Sequence, residues 1–461
     1  MRRAAGSSSH SRLLLRRRGR GAASLGAAEA RALQGRLAGS SDLVAITSEV
    51  LGGDPGSWPP RSLATAWHRL AAHARASGVA SQELAGATSA EPRPGEADAT
   101  AALRRLLAVQ RGVDWAAFTP RGASDIVRAL AQLLCACPAL RTSFAEHFLA
   151  DPGRFGPRDV AAVVHAAALM AWRHGDLLAA ACGEFAQQAR RFDDQAVASM
   201  VYALGILRHS DGKSLATLQE RLLPRLPLLS PASLAITLHG VGLLALRDAS
   251  LQQAAGEAIF RRLDRLKPLD LSVSFHALGL LRAKNDRLLA SMCLAAEGHV
   301  AKFSATSLAN IVHALGLLRH RHKGLLGAID LRLQEPLRGF SDQHLSSIVY
   351  SLQLLRFPRL GLLQAVSDHA AARLASWDSQ SVTTLVYALG VFRFENTALL
   401  RALLRWLRGE GAAALGAADV AFASQGLGLL GFGDARIFRQ PRDVRATLPG
   451  SFPRTMSGDL D

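Results

Sequence analysis

The sequence predicts an all-α fold, an α-solenoid of about eight stacked helix-turn-helix repeats of 37 residues. Three observations carry that expectation: a ring recurring at one spacing, a helix cap recurring with it, and apolar residues at helical periodicity around both. The ring falls at His165, Tyr202, His239, His276, His313, Tyr350 and Tyr387, each 37 residues from the next. Gln425 continues the series after one extra residue, and Arg128 stands one unit before His165. A period of this length sustained over so many copies marks a repeat array. Helix pairs that cannot bury their apolar stripes alone must stack on their neighbours.

Each copy reads as two helices. Asp193, Ser230, Ser304, Ser341 and Asp378 stand where a side-chain oxygen satisfies an orphan N–H at a helix start. Pro231 follows its cap at the first helical position, where the missing N–H costs nothing. Phe192, Phe303, Phe340 and Trp377 precede their caps as hydrophobic staples. In the copy opening at Ser304, the residues Leu308, Ile311, Val312, Leu315 and Leu318 then form one apolar stripe. A polar break over 319–323 separates it from a second amphipathic helix, from about Leu325 to Leu337. Ala277 and Gly279, Ala314 and Gly316, and Ala388 and Gly390 repeat at one register. Glycine costs about 1 kcal/mol relative to alanine inside a helix, so its recurrence implies close helix approach.

Along the chain, residues 1–40 contain nine arginines, no lysine and a single acid, Glu29. That is the composition of an organellar transit peptide, expected to be disordered. Residues 41–122 form a looser helical and linker region, with helices expected over 63–76 and 101–109 and a disordered linker over 85–99 that contains EPRPGEAD. The repeat array runs from 123 to 431, and 432–461 reads as a polar, disordered tail. Lys plus Arg number 54 against 37 Asp plus Glu, a net charge of +17 that points to an anionic partner. No apolar run approaches the roughly 20 residues needed to span a bilayer. The four cysteines, Cys135, Cys137, Cys182 and Cys293, have no zinc-ligand spacing and read as buried thiols. No phosphate loop, metal cluster or nucleophile motif is present, so neither a catalytic residue nor a cofactor is expected. GLGLLGFG near Gly426 is repeat core running into the tail.

Three sets of residues are candidates for ligand contact. At 100° per residue, the face opposite the apolar stripe holds the ring and the residues three and seven before it. Those are Ser199 and Gln195, Asn310 and Thr306, Ser347 and Gln343, and Thr384 and Gln380. They are short, polar and differ between copies, as base-by-base reading of RNA edges requires. Ile236 and Val273 occupy the nearer position in two copies and have no hydrogen bond to offer. The second set is the rings, which serve either as packing anchors or as surfaces on which bases stack. The third lies six residues after the ring, at Arg208, Arg282, Arg319, Arg356 and Arg393, densest where Arg321 and Lys323 join it. These cations suit a helix C-terminus, and stacked repeats would also align them for phosphate contact.

The motif FSATSLANIVHALGLL, over 303–318, resembles the octotricopeptide repeat of organellar RNA factors and, more closely, its 37-residue relative, the heptatricopeptide repeat. It is similar also to the helical region of FAST-kinase-like mitochondrial proteins and to helical-repeat subunits of mitochondrial RNA-editing complexes. The resemblance covers roughly residues 123–431. Many such proteins end in a nuclease-like RAP domain, which has no counterpart after Gly431. The resemblance implies single-stranded organellar RNA as partner, with other ribonucleoprotein subunits and without membrane insertion. It implies a role in RNA processing, stability, editing, translation or ribosomal RNA assembly. The implied location is the mitochondrial matrix, with the plastid as alternative. The competing expectation is a protein-interaction scaffold of the armadillo or HEAT type.

Overall fold

The computed structural model describes residues 26–77, 98–133, 137–209, 211–333, 337, 339–408 and 415–431. Among these residues all regular structure is helical. The chain divides into two units, residues 1–283 and 284–461. The first contains α1 (Ala27–Gly39), α2 (Leu43–Gly52), α3 (Pro60–Ala76), α4 (Asp98–Gln110), α5 (Pro120–Gln132), α6 (Pro138–Ala150), α7 (Pro157–Leu169), α8 (Gly175–Gln188), α9 (Asp194–Ile206), α10 (Gly212–Leu222), α11 (Pro231–Leu243), α12 (Ala249–Phe260) and α13 (Pro268–Leu281). Its odd-numbered helices form one row, each packed on the next, while even-numbered helices pack alongside as a second layer. The second unit contains α14 (Asp286–Glu297), α15 (Ala305–Leu317), α16 (Lys323–Leu333), α17 (Asp342–Leu354), α18 (Leu360–Arg373), α19 (Ser379–Phe392), α20 (Thr397–Arg408) and α21 (Ala417–Leu429). There too the odd helices pack in series from α15 to α21, and the even ones from α14 to α20. Each unit is therefore solenoidal, as the repeats predict.

The local chemistry explains each helix start. Asp193, Ser230, Ser304, Ser341 and Asp378 accept the N–H three residues on, at 2.8–3.3 Å. The staple residues Phe192, Phe303, Phe340 and Trp377 are buried beneath them. Leu308, Ile311, Val312, Leu315 and Leu318 are all buried, which confirms the predicted stripe. Second helices have a cap ladder of their own, nine residues after the ring. His174, Asp211, Asp248, Asn285, His322 and Asn396 each accept the N–H three residues on.

The repeat stack starts earlier than the sequence suggested. α3 packs on α5 and α1 on α3, so the helices of residues 27–110 already belong to the two layers. Their caps, Gly26, Pro59 and Thr119, lie 33 and 60 residues apart, which hides them from a search at 37. The shared signal is an aromatic residue, a cap and then proline: Trp58-Pro59-Pro60 matches Phe118-Thr119-Pro120 and Phe155-Gly156-Pro157. This corrects the assignment of residues 1–40 as wholly disordered, because Leu33 and Leu37 of α1 are buried. Residues 1–25, the tail over 432–461 and most of the predicted linker lie outside the described residues. Asp98 and Ala99, predicted as the end of that linker, instead open α4.

Small residues set the spacing of the odd row. A Cβ added at Gly240 would lie 2.6 Å from the Tyr202 backbone N, and one at Gly205 2.8 Å from the Gly240 carbonyl. In the second unit Gly390 faces the Gly426 carbonyl, and a Cβ at Gly426 would lie 2.7 Å from Tyr387 Cα. Gly428 holds the same register in the last helix, with open space around it. Gly390→Ala should therefore cost about 1–3 kcal/mol by overpacking. Gly428→Ala should be neutral or stabilise by up to about 1 kcal/mol through helix propensity. Denaturant unfolding of the two variants checks this, and shifts of the same sign and size would contradict the backbone-contact account.

Candidate nucleic-acid interface

The ends of the odd helices repeat as strictly as their starts. Six residues after each ring position the backbone turns left-handed, with φ between +48° and +54° at Ala171, Arg208, Ala245, Arg282, Arg319, Arg356 and Arg393. Gly431, at φ +85°, does the same after α21. Two hydrogen bonds close each turn: Arg319 N–H donates to the Gly316 carbonyl at 3.1 Å, and His320 N–H to the Leu315 carbonyl at 3.0 Å. The same pair recurs at Arg356 and Phe357, and at Arg393 and Phe394. This is a helix stop in which the left-handed residue is ordinarily glycine. Five of the seven non-glycine occupants are arginines, and all five are exposed. None of their guanidinium groups has a hydrogen bond or ion pair to another described residue. In the first unit, alanines at 171 and 245 alternate with Arg208 and Arg282; in the second, Arg319, Arg356 and Arg393 are consecutive.

Other arginines contrast with this row because they are engaged in the fold. Arg321 donates from Nε to the Leu355 carbonyl at 3.1 Å and from Nη2 to the Arg356 carbonyl at 3.0 Å. Its guanidinium also lies over the Phe357 ring. Arg321, predicted as a phosphate contact, thus ties one repeat to the next and is less free than Arg319. Arg225 and Arg262 do the same work in the first unit, donating to the carbonyls of Ala189 and Pro227. Arg158 pairs with Asp193 at 2.6 Å. Lys323 is exposed at the start of α16.

The rings meet from repeat to repeat. Tyr202 and His239 have centroids 5.4 Å apart, and His239 and His276 4.8 Å. In the second unit Tyr350 and Tyr387 are 6.4 Å apart, and Tyr387 meets Phe422 at 4.8 Å. His313 Nδ1 lies 3.5 Å from Ser351 Oγ. In the last copy Phe422 takes the ring's part, while Gln425, which continues the series in sequence, is exposed. The rings are half-buried packing elements. Burial pushes the basicity of His165, His239 and His313 down.

Beside the rings stand the polar candidates. Gln195, Thr306, Gln343 and Gln380 are exposed, and Ser199, Asn310, Ser347 and Thr384 are half-buried. Gln195 Nε2 donates to Ser199 Oγ at 3.3 Å. The second unit brings the sets together most fully, in three consecutive copies. Each has a polar residue three before the ring, the ring itself and a left-handed arginine six after it. The buried thiols take no part: burial pushes Cys182 and Cys293 up to about 12. Cys137 is likewise buried, and Cys135 lies outside the described residues. No described helix is long and apolar enough to cross a membrane.

Residues 184–406 match the family model of the RNA-editing substrate-binding complex 6 protein. The match spans six of the 37-residue copies and just under half of the chain. It bears on the resemblance to RNA-editing complex subunits; the octotricopeptide and heptatricopeptide resemblances rest on the motif alone. No curated protein matches the chain.

The histidine rings make a pH-dependent stability expected. A histidine whose folded pKa lies below its unfolded value of about 6.5 must be protonated at a cost when acid is added. Its contribution is complete above that unfolded value and is lost as pH falls through the folded one. Thermal unfolding should therefore occur at lower temperature at pH 5.5 than at pH 7.5. His239→Tyr, which installs the ring already present at Tyr202, should flatten that dependence. A variant whose pH profile matches the parent would contradict a role for His239.

Proposed function

We propose that this protein binds single-stranded RNA along the odd-helix row of each unit, phosphates on the left-handed arginines, as an RNA-binding subunit of a mitochondrial RNA-editing assembly. The observation that carries this is the placing of five exposed, unpaired arginines where glycine is the stable choice. A non-glycine residue in the left-handed region costs roughly 1–2 kcal/mol. A cation at a helix C-terminus regains about 0.3–1 kcal/mol, so the dipole offsets the strain only in part. A row of free guanidinium groups spaced by helix packing is suited to a phosphate backbone. The match to an RNA-editing substrate-binding family supports RNA as the polyanion. The arginine-rich residues 1–25, with seven arginines and no acid ahead of α1, support the mitochondrial location. The role is binding, not catalysis. Asn310, Ser347 and Thr384 are the residues best placed to choose among bases.

Arg356→Gly separates this function from a purely structural one, because it removes the guanidinium and relieves the backbone together. Stability should rise by about 1 kcal/mol while affinity for single-stranded RNA falls. The salt slope of binding should drop by roughly 0.7, the single-strand value per phosphate. Salt titrations of RNA affinity, paired with unfolding curves, test both effects. A variant that gains stability and keeps its RNA affinity would leave the arginines without a phosphate role. A parent protein that binds no RNA would point to the protein-scaffold alternative.

A further inference from the structure

The odd-row helices carry a feature that neither the core nor the arginine row uses. Four residues after the ring the side chain is aliphatic in every copy from His165 onward: Ile206, Leu243 and Leu280 in the first unit, Leu317, Leu354 and Val391 in the second. The end copies keep the rule with Leu169 and Leu429. These positions are not core: Leu169 is 44% exposed, Ile206 43%, Val391 38% and Leu429 43%. The core stripe of the same helices is buried without them. A merely solvated position would carry charged or polar residues in some copies, as the position seven before the ring does with its glutamines. In the first unit Leu243 and Leu280 rest on the helix before them. A Cβ at Gly205 would lie 2.9 Å from Leu243 Cβ, and one at Gly242 2.8 Å from Leu280 Cβ. The rungs thus join into a half-exposed apolar ridge.

We propose that this aliphatic row is a floor for nucleobases of single-stranded RNA, one base face per repeat; this rests on the RNA-binding function proposed above. The residues three before the ring, at the ring and four after it share one helix face, within about 60° of arc. Two residues beyond the rung stands the unpaired left-handed arginine. Each complete copy therefore offers a cation, an apolar surface and a hydrogen-bonding side chain along one line, as in Ser199, Ile206 and Arg208. A nucleotide has the matching parts: an anionic link, a flat apolar face and a polar edge. An exposed aliphatic row beside free cations is otherwise a solubility liability.

The test compares a 12-nucleotide single-stranded RNA with an abasic ribose-phosphate oligomer of equal length and charge, each titrated against the full chain. The parent should bind the RNA at least about fivefold more tightly, the lower end of what one stacked base contributes. Ile206→Ser and Val391→Ser should each reduce that preference while leaving abasic affinity and the salt slope unchanged. Val391→Thr, nearly equal in volume, should reduce it less, and unfolding curves establish that each variant is folded. If the parent binds both oligomers equally, the floor is absent while phosphate binding stands. If the serine variants keep the full preference, the bases lie elsewhere and the assignment of this row fails. If neither oligomer binds, both the floor and the RNA function fall, and an acidic protein partner becomes the explanation of ridge and cations together.

Discussion

Backbone facing backbone, without a side chain between, is the contact on which the odd rows depend. Gly205 against Gly240 and Gly390 against Gly426 let successive helices come closer than any Cβ allows. Once that approach is fixed, every other feature of a copy is placed by it. The buried stripe turns towards the second layer, and the rings meet at tilted angles between copies. The residue ending each helix then arrives at the same place along the row. A glycine in mid-helix costs propensity, which the tight approach offsets through packing of whole helices. The arginine and aliphatic rows continue through the copy of Tyr350, where Gln353 stands in place of the glycine, because the 37-residue period is kept.

The basic charge of the chain is divided between two uses. Arg225, Arg262 and Arg321 bond to carbonyls of neighbouring repeats and hold the layers in register. Arg319, Arg356 and Arg393 project from left-handed turns with no described partner. Net charge alone does not separate these uses, since an arginine that ties a helix end and one that awaits a polyanion count alike. The distinction comes from geometry: one group sits over carbonyls, the other at strained turns pointing to solvent.

Much of each repeat is legible before folding because it rests on local rules. The caps, staples and apolar stripe follow from spacings within about a dozen residues, and each falls where those spacings place it. The small-residue register at Ala314 and Gly316 is legible too, since glycine inside a helix needs a reason. Before residue 120 the helices expected over 63–76 and 101–109 are present as α3 and α4, but their place in the stack is not legible, because their connections break the period while the Trp58-Pro59-Pro60 signature keeps it. Nor is the left-handed turn at Arg319: the sequence shows a cation at a helix end, which the dipole explains well enough. Only a backbone dihedral angle tells that the cation stands in glycine's place. The free or engaged state of Arg321 and Arg356 is likewise tertiary, set by which carbonyls the next repeat brings within reach.

The one irregular step in the array shows where the chain tolerates a change of length. Asp378 and Gly416, the caps of α19 and α21, lie 38 residues apart where every earlier interval from Thr119 is 37. The second-helix cap Asn396 keeps its distance from Tyr387, so the additional residue falls after it, towards the connection between α20 and α21. An insertion within an odd helix would rotate the glycine away from its neighbour's backbone and swing the stripe out of the core. An insertion between a second helix and the next cap only lengthens a link. Domain fusions and affinity handles placed at such junctions leave the glycine register intact.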